Sequence, residues 1–560
     1  MVVSDLAMPP ISTLPPEMVA EIQYWIILDV CHAAERKLYP SKDDYTCPHV
    51  AYRFTPPPSP YSWLIIRRIC KAWRHIALTF PELSTHIFIT RPGCVKDLLD
   101  RSGTLPLHIY QANSMYERAR RDDVAASCRL VLPQFFRIVS GSLMLMDTMN
   151  VPESLLPKNG ASTAISLEIE IQKAGGDRAH TWISNLTFPN LTQLTVTNAA
   201  MRTVRPMLVA SLRILRLMQC EPIPAKELRS ILEPMKHLEE LVLCDMIAGE
   251  EDMETIRDTY LPGLQNTIDL PHLRALTITQ SCASAGIPFL RSIAHPASTS
   301  LRLNFRSLAN WHMEQRDRAC YVQLLTQAVA AWNTLPGPPR ALRVATGRGH
   351  MNAYSIVNLW CTARDKAALC DAPRDSTFFQ ISFQSDQEAF LGGLLAALPL
   401  GGVTHALLVD SAALWDVIRW EKLMERLEAA EELTVYYEAV EEEPRRGPPP
   451  AFSANGLCPR LNTLCVRETR QVDRYFALKK APKDRITLAH VARALTARLS
   501  KQEQSGETGG KAIELDAQVV DALGNTQGPV DIAEYPQVQA KRWLSGGVSR
   551  VSAILKRTSR

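Results

Sequence analysis

The 560-residue sequence has 13 cysteines, scattered from Cys31 to Cys465, but no two in CxxC spacing. An odd, scattered set gives neither a disulfide framework nor the paired turn that presents two thiolates to zinc. The thiols therefore read as reduced and buried, as in a cytosolic or nuclear protein. Charge of one sign is in little excess: 62 Lys and Arg against 58 Asp and Glu leave a net +4. That is too little to make nucleic acid or an anionic membrane the expected partner, because such binding needs concentrated basic surface. The longest apolar run, FLGGLLAALPLGGV from Phe390 to Val403, is too short and too rich in Gly and Pro to span a bilayer. The opening MVVSDLAMPPIS lacks the basic start and apolar centre of a secretory signal, so export is not expected and the NLT sequons at Asn185 and Asn190 carry little weight.

Catalytic signatures are missing too. There is no HExxH, no GxSxG and no GxGxxG, and His312 with Glu314 lacks the downstream PCxxC of a zinc deaminase. SGETGGKA has the outward form of a phosphate loop, but Ser505 stands where glycine is needed and Ala512 where Ser or Thr is needed. Cys31, Cys47, His49 and Cys70 do not have the spacing of a zinc site. No catalytic residue, metal ligand or cofactor is expected, and the chain reads as a non-enzyme.

What is present is an ordinary core-forming composition, 46% hydrophobic and 21% charged. LPPEMVAEIQYWII puts two prolines where a first helical turn accepts them, then Met18, Ile22 and Ile26 four apart. Asp29 to Pro60, punctuated by Pro, Asp and Ser, reads as an inserted loop. YSWLIIRRICKAWRHIALTFPEL follows, with Ile66, Ile69, Trp73 and Ile76 at helical spacing and Arg67, Arg68, Lys71 and Arg74 on its solvated flanks.

From about residue 160 a second pattern begins, short segments reading Leu, two residues, Leu, one residue, aliphatic. LTQLTV, LRILRL, LEELVL, LRALTI and LNTLCV are the clearest copies; ISLEIEI, TSLRLNF, RALRVAT, THALLVD and EELTVYY are weaker. Their central leucines recur roughly 21 to 35 residues apart, near the range of leucine-rich repeats. Helical stretches such as AKELRSILEPM, RACYVQLLTQAVAAW and LWDVIRWEKLMERLEAA lie between them. Units of this kind bury their apolar faces only by stacking beside a parallel sheet. Beyond residue 480 the pattern fades: RITLAHVARALTARLSKQ suggests one amphipathic helix, while EQSGETGGKA and GNTQGP read as flexible linker.

The first region resembles the F-box, in particular the insertion-bearing F-box-like proteins of fungi. Leu14, Pro15 and Glu17 match its opening motif, Ile69, Cys70 and Trp73 its Val-Cys-x-x-Trp segment, and Pro81 and Leu83 its closing Pro-x-Leu. Ser84 stands where the family usually has tryptophan, and the loop between the first two helices is longer than usual. The resemblance implies docking of a Skp-type adaptor and, through it, a cullin-containing ubiquitin ligase. Leu14, Pro15, Glu17, Ile22, Ile65 and Ile66 would face the adaptor, while Ile69, Cys70, Trp73, Pro81 and Leu83 hold the module together. The second region resembles the degenerate leucine-rich repeats that accompany an F-box and select a protein substrate. With the leucines inward, strand alternation leaves Gln193, Thr195 and Thr197, then Ile214, Arg216 and Met218, then Glu240, Val242 and Cys244, as a substrate face.

The expected fold is thus α/β. A tail at 1–11 precedes a helical F-box-like module at 12–90 whose inserted loop occupies about 29–60. A linker with the first α/β elements follows at 91–160, an irregular leucine-rich-repeat solenoid of parallel strands alternating with helices at 161–480, and a helix with a partly disordered tail at 481–560. The expected function is a substrate receptor of the cytosol or nucleus, with adaptor, cullin complex and an unidentified protein substrate as partners. The alternative is a non-catalytic repeat scaffold or sensor without a ligase.

Overall fold

The computed structural model describes residues 14–38, 61–111, 121–146, 160–172, 183, 186–248, 267–307, 323, 325, 339–348, 353–360, 379–384, 388–411, 423, 426–438, 460, 463–470, 514–521 and 526–529. It is a mixed α/β protein dominated by parallel strand pairing. The chain divides into two compact units, Met1–Met246 and Ile247–Arg560.

The first unit opens with helix α1 (Pro16–Leu38). It runs well past Asp29, where the sequence suggests a loop, because CHAAERKL consists largely of good helix formers and no Gly or Pro intervenes before Pro40. A 3₁₀ segment (Ser62–Arg68), helix α2 (Lys71–Thr79) and a short 3₁₀ turn (Pro81–Ser84) follow. Strand β1 (His86–Phe88), helix α3 (Pro92–Ser102), strand β2 (Leu107–Tyr110), helix α4 (Arg121–Val131) and strand β3 (Ile138–Met146) then alternate, with α3 packed on α4. Strands β5 (Ser166–Gln172), β7 (Gln193–Thr197), β8 (Ile214–Met218) and β9 (Glu240–Cys244) complete the row, and β4 (Gly160–Ala161) and β6 (Leu186–Thr187) form a separate two-residue pairing. Helices α5 (Met201–Val204) and α6 (Ala225–Leu232) lie in the connections that follow β7 and β8.

Each strand in the row β1, β2, β3, β5, β7, β8, β9 pairs in parallel with the next. The register stacks Leu167, Leu194, Leu215 and Leu241 in one line and Leu143, Ile169, Val196, Leu217 and Leu243 in another. All are buried, and each leucine so placed contributes about 1.5–3 kcal/mol of transfer free energy.

The stack repeats down to single hydrogen bonds. The Thr192 carbonyl accepts from the amides of Arg213 (2.7 Å) and Ile214 (3.0 Å), and the Arg213 carbonyl accepts from Glu239 (2.7 Å) and Glu240 (3.0 Å). The residue after each of β7, β8 and β9 turns left-handed: Asn198 (φ 59°), Gln219 (φ 52°) and Asp245 (φ 52°). That turn swings the chain off the sheet and buries Ala199, Cys220 and Met246, the positions that close the LxxLxL pattern. The Cys220 thiol donates to the carbonyls of Val196 and Met218, both at 3.6 Å.

The second unit contains the two-residue pair β10 (Ile268–Asp269) and β12 (Ile293–Ala294) and the longer strands β11 (Ala275–Cys282), β13 (Ser300–Ser307), β14 (Ala341–Arg348), β15 (Ala353–Trp360), β16 (Phe379–Gln384), β17 (His405–Ser411), β18 (Glu432–Glu438), β19 (Thr463–Arg470), β20 (Glu514–Asp521) and β21 (Thr526–Pro529). Helices at Ala283–Arg291 and Glu388–Ala397 accompany them. The long strands run β11-β13-β16-β15-β14-β17-β18-β19-β20-β21. Consecutive parallel winding fails at β15, which pairs antiparallel with both β14 and β16, and again at β21, antiparallel to β20.

All ten LxxLxL-like segments form strands. GNTQGP, read as linker, contributes residues to β21. The helix expected at RITLAHVARALTARLSKQ lies outside the described residues, as do most of the two helical stretches RACYVQLLTQAVAAW and LWDVIRWEKLMERLEAA.

Candidate functional site

The N-terminal helices build a small core. Helix α1 contributes Val19, Ala20, Gln23, Ile27 and Cys31, which meet buried Trp63, Ile66, Trp73, Ile76 and Leu83. The buried face of α1 is therefore not the Met18, Ile22, Ile26 row whose spacing marks the helix in the sequence. Gln23 lies in the core and donates from Nε2 to the Trp73 carbonyl at 3.2 Å, and a polar residue there conceals the true stripe in the sequence.

The opposite face of α1 carries Glu17, Met18, Glu21, Trp25 and Asp29, all exposed, one turn after another. Met18 is 53% and Trp25 62% exposed, and the indole Nε1 of Trp25 donates to Glu21 Oε1 at 2.8 Å, which steadies the ring in solvent. Of the residues expected to face a partner, Pro15 and Glu17 are exposed, while Leu14 and Ile22 are half-buried. Trp25 was missed, since only the phase of the helix, not the residue types, sets it outside.

The YSWLIIRRICKAWRHIAL stretch is not one helix. Ile69 ends the 3₁₀ segment and Cys70 is extended (φ −156°, ψ 172°), with its sulfur accepting from the Trp73 amide at 3.4 Å as the N-cap of α2. The break resets the phase, so two expectations are corrected. Ile69, taken as packing, is 57% exposed, and Cys70, also taken as packing, is exposed and caps a helix. Ile66, expected to face the adaptor, is buried, whereas its neighbour Ile65 is 66% exposed. Trp73 and Leu83 are buried and Pro81 half-buried.

Arg67 is not a solvated flank. Its guanidinium lies 5.6 Å over the Trp63 ring and reaches Asp97 Oδ2 at 3.4 Å, while Asp97 Oδ1 accepts from Arg101 at 2.8 Å. Arg101 in turn donates to the Leu78 carbonyl at 3.3 Å, so α3 is tied to both helical segments before it. Ser84 is 1% exposed, a position already enclosed rather than a gap left by a missing tryptophan.

The second surface is the outward side of β3 to β9. The register aligns Ser142, Glu168, Thr195, Arg216 and Val242 in one rung, and Met144, Glu170, Thr197, Met218 and Cys244 in the next. A third rung runs Ser140, Ser166, Gln193, Ile214 and Glu240. Gln193 is exposed and the other expected face residues are half-buried, as side chains on strands about 4.8 Å apart cover one another. Arg216 Nε pairs with Glu240 Oε1 at 2.7 Å across two strands, and the Ser166 hydroxyl donates to Gln193 Oε1 at 3.3 Å. The sequence reading began this face at Gln193; the weaker copy ISLEIEI and the strand before it extend it by two.

Chemistry at the described thiols is quiet. Burial pushes Cys128 up to about 12. Cys94 is also raised, by burial first and by Asp97, against the lowering effects of Tyr61 and Arg67. Neither is an activated nucleophile. Cys31 is buried and Cys70 exposed, while Cys47, His49, His312, Glu314 and the SGETGGKA segment lie outside the described residues. Among the described residues, no group of three or more His, Cys, Asp or Glu converges on a metal position, and no helix is long and apolar enough to cross a membrane. No protein-family model matches this sequence, and a search of curated proteins finds no match.

Proposed function

We propose that the chain is a non-enzymatic substrate receptor. Its F-box-like N-terminal helices dock a Skp-type adaptor of a cullin-containing ubiquitin ligase, and its leucine-rich-repeat-like strands, wound as an irregular solenoid, hold a protein substrate. Such a receptor works in the cytosol or nucleus and brings its target to catalysis carried by other subunits, raising its effective concentration there.

One observation carries this reading. Of the six large apolar side chains that are strongly exposed among the described residues, four, Met18, Trp25, Ile65 and Ile69, belong to the N-terminal helices. Concentrated exposed apolar surface of this kind suits a protein partner. The order LPPE, apolar helix, Ile-Cys-x-x-Trp and Pro-x-Leu supports the identity of that partner. The rungs of mixed polar and apolar side chains on β3 to β9 suit a protein rather than a small molecule.

The test is binding of the full-length chain to a purified Skp-type adaptor. The wild-type chain is expected to form a complex, and Trp25→Ala combined with Ile65→Ala to weaken it by about 10-fold or more, since buried aromatic anchors dominate such interfaces. A wild-type chain that retains no adaptor defeats the receptor reading and leaves the repeat scaffold or sensor.

A further inference from the structure

The two exposed apolar patches of the N-terminal helices carry opposite charge. On α1, Met18 and Trp25 alternate with Glu17, Glu21 and Asp29, all exposed, and no Lys or Arg occurs from Leu14 to Glu35. Around Ile65 and Ile69, the exposed charged side chains are Arg68, Lys71 and Arg74, and no Asp or Glu occurs from Tyr61 to Pro81. Arg74 is tethered, its Nε donating to the Arg67 carbonyl at 2.8 Å. Arg68 and Lys71 point no ion pair at a carboxylate of the described residues, and Arg67, the one cation of this stretch that does, is turned toward Asp97.

We infer that the partner covering these helices presents a surface of matching polarity: an apolar site rimmed by Lys or Arg where it meets α1, and one rimmed by Asp or Glu where it meets Ile65 and Ile69. The inference rests on the adaptor-docking reading and specifies the chemistry of the adaptor's contact surface. Its physical basis is that desolvating Trp25 and Ile65 supplies affinity, whereas segregated charges of opposite sign fix the orientation of docking and speed encounter. A partner with the two signs exchanged would bring like charges together at both patches, which disfavours it. Rim charges of this kind act mainly on the association rate and are screened by salt, while the apolar anchors act on dissociation.

The experiment measures association and dissociation of the full-length chain with a purified Skp-type adaptor at about 0.03 M and about 0.5 M salt. Two reversal variants are compared with wild type, Glu17→Lys with Asp29→Lys, and Arg68→Glu with Lys71→Glu. Circular dichroism and melting midpoints check their fold, and the milder Glu17→Gln with Asp29→Asn and Arg68→Gln with Lys71→Gln stand in for either that does not fold. Each reversal is expected to slow association on the order of 10-fold at low salt and to lose most of that effect at high salt, with dissociation little changed. Trp25→Ala is expected to speed dissociation at both salts. The inference is overturned if the wild-type complex forms but either reversal leaves its low-salt association unchanged or speeds it. A wild-type chain that binds no adaptor overturns the receptor reading itself, and this inference with it.

Discussion

The hydroxyl of Ser84 is buried with no hydrogen-bond partner among the described residues, at the end of the 3₁₀ turn that carries Leu83 into the helical core. An enclosed hydroxyl without a partner keeps its desolvation cost, so Ser84→Ala is expected to raise the unfolding free energy by about 1 kcal/mol. Ser84→Trp, which introduces the residue usual at the matching position of F-box sequences, is expected to lower it by about 1–3 kcal/mol through overpacking. Urea midpoints of the two variants decide the matter, and a tryptophan that stabilises would mean the site has room the structure does not show. Ile65 and Ile66 make the same point about neighbours: identical side chains, one at the surface and one in the core, separated only by where the 3₁₀ segment turns. No residue-type argument distinguishes them.

At the level of elements, the LxxLxL strands were legible in the sequence and the helices much less so. The alternation of LTQLTV, LRILRL and LEELVL has period two and places every leucine inward whatever the neighbours do, since a strand has two faces. Helix phase is continuous, so one polar core residue, Gln23, shifts the apparent face of α1, and one extended residue, Cys70, splits an apparent helix in two. The capping role of Cys70 has a direct test. Serine accepts a hydrogen bond better than a thiol does, so Cys70→Ser is expected to stabilise α2 by about 0.5–1 kcal/mol. Cys70→Val, of similar shape but without an acceptor, is expected to destabilise by a similar amount. Thermal melts of both variants check this, and the opposite order would return Cys70 to a packing role.

At the level of the whole molecule, α1 meets the first strands at a cluster of rings. His86 stacks on His108 with centroids 4.6 Å apart, its Nδ1 lies 3.0 Å from the Tyr110 hydroxyl, and Tyr24 of α1 packs edge-on at 5.7 Å. Burial holds His108 below the ordinary histidine range, and it does the same for His295 in the second unit against the opposing Pro296 carbonyl. Both are favoured as neutral rings in the folded chain, so their contribution is complete above the unfolded value of about 6.5 and is lost as pH falls through it toward the lowered folded values. The melting midpoint is expected to fall between about pH 7 and pH 5. His108→Phe, which keeps the stack but cannot ionise, is expected to flatten part of that slope, and an unchanged slope would remove His108 as a cause.

The sequence by itself determined the inward leucines, the positions of the ten LxxLxL-like strands and the charge segregation of the N-terminal region, because each depends on residue type and local spacing alone. Only the tertiary structure decided that α1 turns Trp25 outward and that β15 enters antiparallel between β14 and β16. Helix rotation and strand order are set by which partner each element packs against, and that choice is made between residues far apart in the chain.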